Sequence, residues 1–281
     1  MQIIDGRKIR DSILETLKAR ITALPFSPVF CDVLVGDNPA STQYVQMKER
    51  VAEGLGLKTY HAVFPETITT DELIFEIKKI AEIPHMSGLI IQLPLPEGID
   101  TKKVLDSVPS EIDVDSISAL ATEKFYTNEP IFIFPTAAAV MAILDSLALD
   151  FSHKNVVMVG QGILVGKPVA HLLKNHGVDV SVIDQSTKDR NEIIKNADVI
   201  ITATGQANLI QGDMIKQHVV LIDAGTSESN GGISGDVDRE SVADIASVLS
   251  PVPGGVGPVT VAMLMQNVVI SAERKALQHT A

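Results

Sequence analysis

The stretch NVVMVGQGILVGKPVAHLLKNHG, Asn155 to Gly177, decides the reading of the fold. An apolar, β-branched run ends in Gly160. Gly162 and Gly166 follow, and an amphipathic helix opens at Pro168. Strand, tight turn and helix thus succeed one another. Glycines at such a turn permit the sharp reversal and let backbone N–H groups approach a pyrophosphate, to which the helix N-terminus presents the positive end of its dipole. A second apolar run, DVSVID (179–184), comes next and ends in Asp184. An acidic residue there accepts hydrogen bonds from the adenosine ribose hydroxyls and favours NAD. Gln161 and Gln185 are neutral where an arginine would hold the 2′-phosphate of NADP, while Lys188 and Arg190 are close enough in sequence to compensate. The plainer readings are a glycine turn without ligand and a solvated Asp184.

Working outward, apolar runs alternate with helical patterns along the whole chain. The runs are FCDVLV (30–35), KTYHAVF (58–64), GLIIQLPL (88–95), NVVMVG (155–160), DVIITAT (198–204), VVLIDAG (219–225) and ASVLSPV (246–252). Helical segments fall at 6–21, 41–56, 70–81 and 259–277. This alternation is the signature of an α/β protein with parallel sheets. At 281 residues and roughly 100–200 residues per domain, two domains are expected. We place the first at 1–118 and a Rossmann-type dinucleotide-binding domain at 140–255. The stretch TNEPIFIFPTAAAV (127–140) has two prolines and no clear period, and reads as a crossing segment leading into a helix before the strand at 155–160. The closing helix, 259–281, is expected to return to the first domain.

Composition excludes several classes. Acidic residues outnumber basic ones 35 to 23, for a net charge of −12. That argues against a nucleic-acid-coating protein, whose affinity rests on excess Lys and Arg. The chain has no tryptophan, so stacking platforms for single strands are not expected. A lone Cys31, inside the apolar run VFCDVLV, excludes an internal disulfide framework and reads as a buried structural thiol. No signal-like leader and no apolar stretch of about 20 residues is evident, so a cytoplasmic protein without a membrane partner is expected.

Chemistry concentrates in the first half. In VGDNPASTQYVQMKER (35–50), Asn38 and Pro39 make a helix start. Tyr44, Lys48, Val51 and Leu55 then share one stripe. A lysine desolvated on such a stripe has a depressed pKa and serves as a proton donor or acceptor; equally, it snorkels from the stripe's edge to water. Gln92 follows the strand GLII, at the end where ligands bind in open α/β sheets, and Pro94 and Pro96 stiffen the chain after it. Asp113 and Asp115 in SEIDVDS invite a metal, but no His or Glu stands at ligand spacing, so no metal is expected; an Asx turn is the alternative. PVPGGVGP (251–258) suits either close approach to a planar ligand or a hinge.

Taken together, these segments resemble the bifunctional methylenetetrahydrofolate dehydrogenase/cyclohydrolase family. The matching motifs are IIDGRKI, VGDNPAS with Tyr44 and Lys48, IIQLPLPEGID, DVD (113–115), GILVGKP, VVLIDAG, GDVD (235–238) and PVPGGVGPVTVAML. They run in family order over nearly the whole chain. The resemblance implies two α/β domains around a cleft, a homodimer, and a cytoplasmic enzyme of one-carbon metabolism. It implies NADP or NAD as cofactor, NADP being usual in the family, and tetrahydrofolate derivatives as partners. The expected reactions are oxidation of 5,10-methylene-tetrahydrofolate to the methenyl cation, then hydrolysis to 10-formyl-tetrahydrofolate. By motif position, Lys48 is the general acid/base, and Gln92 and Tyr44 orient it. Asp115 anchors the pterin ring, and Pro253 and Gly257 line the folate pocket. Gly160, Gln161, Gly162, Gly166, Asp184 and Thr226 take cofactor positions.

The chain departs from the family pattern at four places. Ser116 stands for the usual glycine after DVD. Phe134, Pro135, Thr136 and Ala137 replace Pro-Cys-Thr-Pro. Gln161 and Gly162 replace Arg or Ala followed by Ser, and the Asp184 region replaces a His-Ser pair. These departures keep two alternatives open: a monofunctional NAD-dependent dehydrogenase, and a non-catalytic folate- or nucleotide-binding relative.

Overall fold

The computed structural model describes residues 1–229 and 232–278. The chain opens with β1 (Gln2–Ile3), α1 (Gly6–Thr22), β2 (Val29–Val35), α2 (Pro39–Leu55), β3 (Lys58–Phe64), α3 (Thr70–Ala81) and β4 (Met86–Ile91). Next come α4 (Thr101–Asp106), α5 (Ala119–Tyr126), α6 (Pro135–Ser146), β5 (Val156–Val159), α7 (Gly166–Asn175), β6 (Val180–Ile183), α8 (Arg190–Asn196) and β7 (Val199–Thr202). The remainder is β8 (Val220–Asp223), β9 (Ser227–Ser229), β10 (Gly232–Ser234), α9 (Arg239–Val242), β11 (Val248–Ser250) and α10 (Val256–Gln278). Two compact units result. One joins Met1–Asp11 to Phe134–Met263; the other joins Ser12–Ile133 to the chain from Leu264 onward.

The first of these is built on a six-stranded parallel sheet in the order β1-β11-β8-β7-β5-β6. Its inner strands β5, β7 and β8 are predominantly apolar and buried throughout, as a parallel sheet covered on both faces requires, and Val157, Ile200, Leu221 and Leu249 are buried in one core. β5 lies between β6 and β7, so the connections leave it in opposite directions. Such a reversal opens a crevice at the carboxyl ends of the strands, where Gly160 follows β5. Gln2 and Ile3 pair with Val248 and Leu249. Residues 1–11 therefore group with this sheet and not with the residues that follow them, a two-residue strand being too short to carry a period.

The second unit holds a three-stranded parallel sheet, β3-β2-β4. β2 is central and buried along its whole length. On one face Cys31 and Val33 pack with Leu73 and Ile77 of α3 and Val104 of α4. Cys31 is a buried core thiol, and burial pushes its pKa up. On the other face Phe30 and Ile90 meet Leu17 of α1, Ala52 and Leu55 of α2, and Val268 of α10. Asn267 of α10 donates from Nδ2 to the carbonyls of Val114 and Ile133, at 2.8 Å each.

Three details differ from the sequence reading. β4 ends at Ile91 and not at residue 95, because Pro94 has no N–H to continue a ladder. The expected crossing segment follows directly on α5, which ends at Tyr126, and its last six residues already belong to α6, the helix expected before β5. α6 carries apolar residues almost all round, with Ala137, Val140, Ile143 and Leu144 buried, which erases the amphipathic period. By length and composition alone α10 is apolar enough to cross a membrane, although 67% of its most apolar window is buried inside the protein, as in a core helix.

Candidate active site

α2 begins as the sequence implies. Asn38 caps it by accepting from Ser41 N at 3.0 Å, and Pro39 occupies the first turn. Its buried face is Val45, Lys48, Glu49, Ala52 and Leu55. The expected stripe is thus rotated, and Tyr44 stands at its edge with 42% exposure. Lys48 does not snorkel. Its side chain is 6% exposed, and Nζ lies 2.5 Å from Oδ2 of Asp32, whose side chain is 0% exposed. Nζ also donates to Gln92 Oε1 at 2.9 Å. Gln92 Nε2 donates to the Leu93 carbonyl at 2.7 Å, which fixes the amide with its oxygen toward Lys48. The Tyr44 ring centroid is 5.1 Å from Nζ.

Asp32 was not among the sequence candidates. The available signal is an acidic residue inside the apolar run VFCDVLV. A carboxylate in a central strand is costly to desolvate unless it is paired, and the pairing with Lys48 is visible only in three dimensions. Burial still raises the Asp32 carboxyl, with the Lys48 charge opposing.

Asp113 and Asp115 part company. Asp113 is buried and braces its own loop, accepting from Ile117 N at 3.4 Å and Ser118 N at 3.0 Å. The Asx-type turn therefore belongs to Asp113. Asp115 is pushed up to about 6, by burial first, with Lys48 opposing and the charges of Asp113 and Asp32 adding. In its ionised form it can accept from N–H groups. Burial, then the negative charges of Asp115 and Asp32, raise the Tyr44 phenol. Lys48, Tyr44, Gln92 and Asp115 thus form one electrostatic neighbourhood within the second unit. Ser116 takes φ +61°, and its buried Oγ has no hydrogen-bond partner. Among the described residues no group of three metal-ligating side chains occurs.

The six-stranded unit carries a cavity of about 240 Å³ whose lining includes Gly160, Gln161, Gly162, Asp184, Arg190 and Thr204. Gly160 takes φ +103°, and a Cβ on Gly166 would run into the Gly160 carbonyl, so turn and helix are in close approach. The N-terminus of α7 has no side-chain cap, as an anion-binding helix end requires. Gln161 Nε2 donates to the Gly160 carbonyl at 3.0 Å. Asp184 Oδ1 accepts from Ser186 N at 2.8 Å and Ser186 Oγ at 2.7 Å. Hydrogen bonds from Ser186, the side-chain one foremost, hold this carboxyl below the usual range. Arg190 lines the cavity; Lys188, Gly166 and Thr226 do not. Gly166 acts through packing, and Thr226 is exposed, its carbonyl near Gly205. These groups fit a dinucleotide: a glycine cradle, an uncapped helix end and a charged acceptor at the end of the second strand.

Sequence reasoning also missed what holds the far wall. Asp236, the first aspartate of GDVD, accepts from Thr202 Oγ1 and Thr204 N at 2.6 Å and from Gln206 N at 2.9 Å. Asp223 of VVLIDAG accepts in turn from Asp236 N at 3.1 Å and Val237 N at 2.9 Å. Burial pushes the Asp223 carboxyl up to about 6 against those bonds. Pro253 and Gly257 belong to this unit too, before and within the first turn of α10.

Known proteins carry the same two parts. Residues 4–115 match the family described as tetrahydrofolate dehydrogenase/cyclohydrolase, catalytic domain, and residues 135–276 match its NAD(P)-binding domain. The chain is 40% identical over 280 residues to the bifunctional protein FolD of Nautilia profundicola, covering 98% of this chain and 99% of that one. A crystal structure of the bifunctional FolD enzyme from Campylobacter jejuni superposes with a TM-score of 0.93 at 36% identity, over 98% and 99% of the two chains. The Trypanosoma brucei FolD structure, complexed with NADP and an inhibitor, gives a TM-score of 0.91 at 30% identity, over 97% of each. With both family regions matched in order around a paired lysine and a glycine-cradled cavity, the chain belongs to the tetrahydrofolate dehydrogenase/cyclohydrolase family.

Proposed function

We propose that the chain oxidises 5,10-methylene-tetrahydrofolate to the methenyl cation with NAD or NADP and then hydrolyses the cation to 10-formyl-tetrahydrofolate, in one-carbon metabolism. The observation that carries this reading is Lys48 Nζ held at 2.9 Å by an amide oxygen of fixed orientation, beside Tyr44. Hydrolysis needs a positioned proton acceptor and donor, and a lysine fixed in this way is one. Both alternatives without hydrolysis leave that arrangement without a task.

In this reading the residues divide the work. Lys48 takes a proton from the attacking water and returns one to the ring nitrogen as the carbon–nitrogen bond opens. Gln92 sets the direction of Nζ, and Tyr44 shields it from bulk water. Asp115 accepts from the amino and ring N–H groups of the pterin, and Pro253 and Gly257 line the folate pocket. In the dinucleotide unit, NAD or NADP supplies the two-electron acceptor. Gly160, Gln161, Gly162 and the N-terminus of α7 at Gly166 would bind the pyrophosphate, while Thr226, outside the cavity lining, is given no contact. Asp184 accepts from the ribose and tilts the choice toward NAD, with Arg190 as the opposing charge. Oxidation asks mainly for positioning of donor and acceptor. We infer a cytoplasmic homodimer, on the family resemblance.

The test is an absorbance assay on purified protein with 5,10-methylene-tetrahydrofolate, in parallel with NAD and NADP, following reduced nicotinamide and methenyl signals together. Turnover without a lasting methenyl signal is expected, and Lys48→Ala should let the methenyl species accumulate. A Lys48→Ala protein that hydrates the cation at the wild-type rate would refute the assigned role.

A further inference from the structure

Asp32 is a carboxylate where a core strand wants an apolar residue. Its neighbours across the ladder are His61 on β3 and Ile90 on β4. Phe30, on the same face of β2, is packed in the apolar core. Gln92 alone would suffice to orient an amine. A second, charged partner 2.5 Å from Nζ adds something an amide lacks, a group able to take a proton. Both oxygens of Asp32 are buried without a hydrogen-bond partner, the Lys48 contact at Oδ2 being an ion pair, so the carboxylate is not stabilised by a cluster of donors as Asp113 and Asp223 are.

We propose that Asp32 is a positioning residue and the proton partner of Lys48: it holds Nζ and takes its proton, freeing the amine for the hydrolytic step. The inference rests on the proposed hydrolysis. In the first step a proton passes from Lys48 Nζ to Asp32 Oδ2, converting an ammonium and a carboxylate into an amine and a carboxylic acid. The amine lone pair then takes a proton from water as the water oxygen bonds to the methenyl carbon. The carbon–nitrogen bond breaks as the new hydroxyl loses its proton and the departing ring nitrogen gains one. Hydrolysis of the cation releases one proton overall. The pair ends one proton richer, and Asp32 gives that proton up.

Burial raises the Asp32 carboxyl, the charge and contact of Lys48 oppose that rise, and the negative charge of Glu49, from α2, adds to it. Other titratable groups linked to this pair by charge are Tyr44 from α2, Asp115 from the loop after β4, and Cys31, next to Asp32 on β2. β4 itself contributes only Ile90 opposite Asp32. Toward the surface, Glu49 Oε1 lies 2.9 Å from Nδ1 of His61, whose side chain is 68% exposed. Glu49 and His61 therefore continue the titratable groups of this face from the buried pair to water.

The experiment uses full-length protein and methenyl-tetrahydrofolate, with the decay of methenyl absorbance measured across pH. Asp32→Asn keeps the shape and can still accept from Nζ but cannot take a proton. We expect its hydrolytic kcat to fall about 10–100-fold with KM changed less than about threefold. We expect the rate to climb with pH where the wild type is flat, because hydroxide then replaces Asp32 as acceptor. A merely structural Asp32 would not move that profile. Asp32→Val, which continues the apolar strand, is the second variant and should show the same loss. Far-UV circular dichroism and the thermal shift given by NADP report that each variant is folded. Wild-type kcat and wild-type pH profile in a folded variant would overturn the proposal and leave the hydrolase reading standing. A wild-type protein that does not hydrolyse the cation would overturn both.

Discussion

Lys48→Met removes the cation beside a carboxylate whose side chain has no exposure. Breaking a buried ion pair by deleting one partner costs about 3–5 kcal/mol. Replacing both partners with apolar groups of similar shape is nearly neutral. We therefore expect Lys48→Met to lose about 3–5 kcal/mol near neutral pH, and Lys48→Met/Asp32→Val to recover most of it. The loss should depend on pH with a definite sign. Burial raises the Asp32 carboxyl in the native state above its unfolded value of about 3.9. The native state then holds the proton to higher pH than the unfolded chain does. Stability is fully present in acid and falls as pH rises between the two values, by at most about 1.4 kcal/mol per pH unit. Lys48 opposes this rise, so its removal extends the window upward. Glu49 and Asp115 are present in both variants, so the difference between single and double variant isolates Asp32. Urea unfolding followed by far-UV circular dichroism suits a chain without tryptophan. A gap between the two variants that stays constant with pH, or a Lys48→Met protein as stable as wild type near neutrality, would refute the pairing.

Three further outcomes are expected. Ser116→Gly should raise stability by about 1 kcal/mol, read as a higher thermal midpoint, because it relieves a left-handed backbone and removes a buried hydroxyl without a partner. Gly166→Ala should cost about 1–3 kcal/mol through overpacking against the Gly160 carbonyl, and should abolish the thermal shift given by NADP. Asp184→Ala should move the ratio of kcat/KM for NADP over NAD upward by about tenfold or more, with Arg190 left to face the 2′-phosphate. An unchanged ratio would mean that Asp184 only shapes its turn with Ser186.

The strand–glycine–helix run at 155–177 was legible because each of its parts is local. A β-branched run, a turn that only small residues permit and an amphipathic helix all announce themselves within a few residues. The same holds for the capped start of α2 and for Gln92 at the end of β4. The start of α6 at Pro135 was not legible, because an element apolar on almost every side has no period to mark where it begins. β1 was not legible because two residues cannot show one. Tyr44 was placed on the wrong side of the buried stripe by one position, since Tyr44 and Val45 are both apolar enough to begin it.

Asp115 was drawn in only by the family resemblance of the DVD motif; residue type and position by themselves determined that this is an α/β protein with a dinucleotide loop and that Lys48 and Gln92 are the residues to watch. Those conclusions rest on residue type and spacing, which the chain carries without folding. Only the tertiary structure decided that Lys48 is buried, because its partner lies sixteen residues earlier on another element. It also decided that Asp113 braces a loop while Asp115 stays available, and that Asp223 and Asp236 hold the cavity wall. The physical reason is common to all three. What a carboxylate does depends on which donors and which charge reach it in space, and neither is written in its neighbours along the chain.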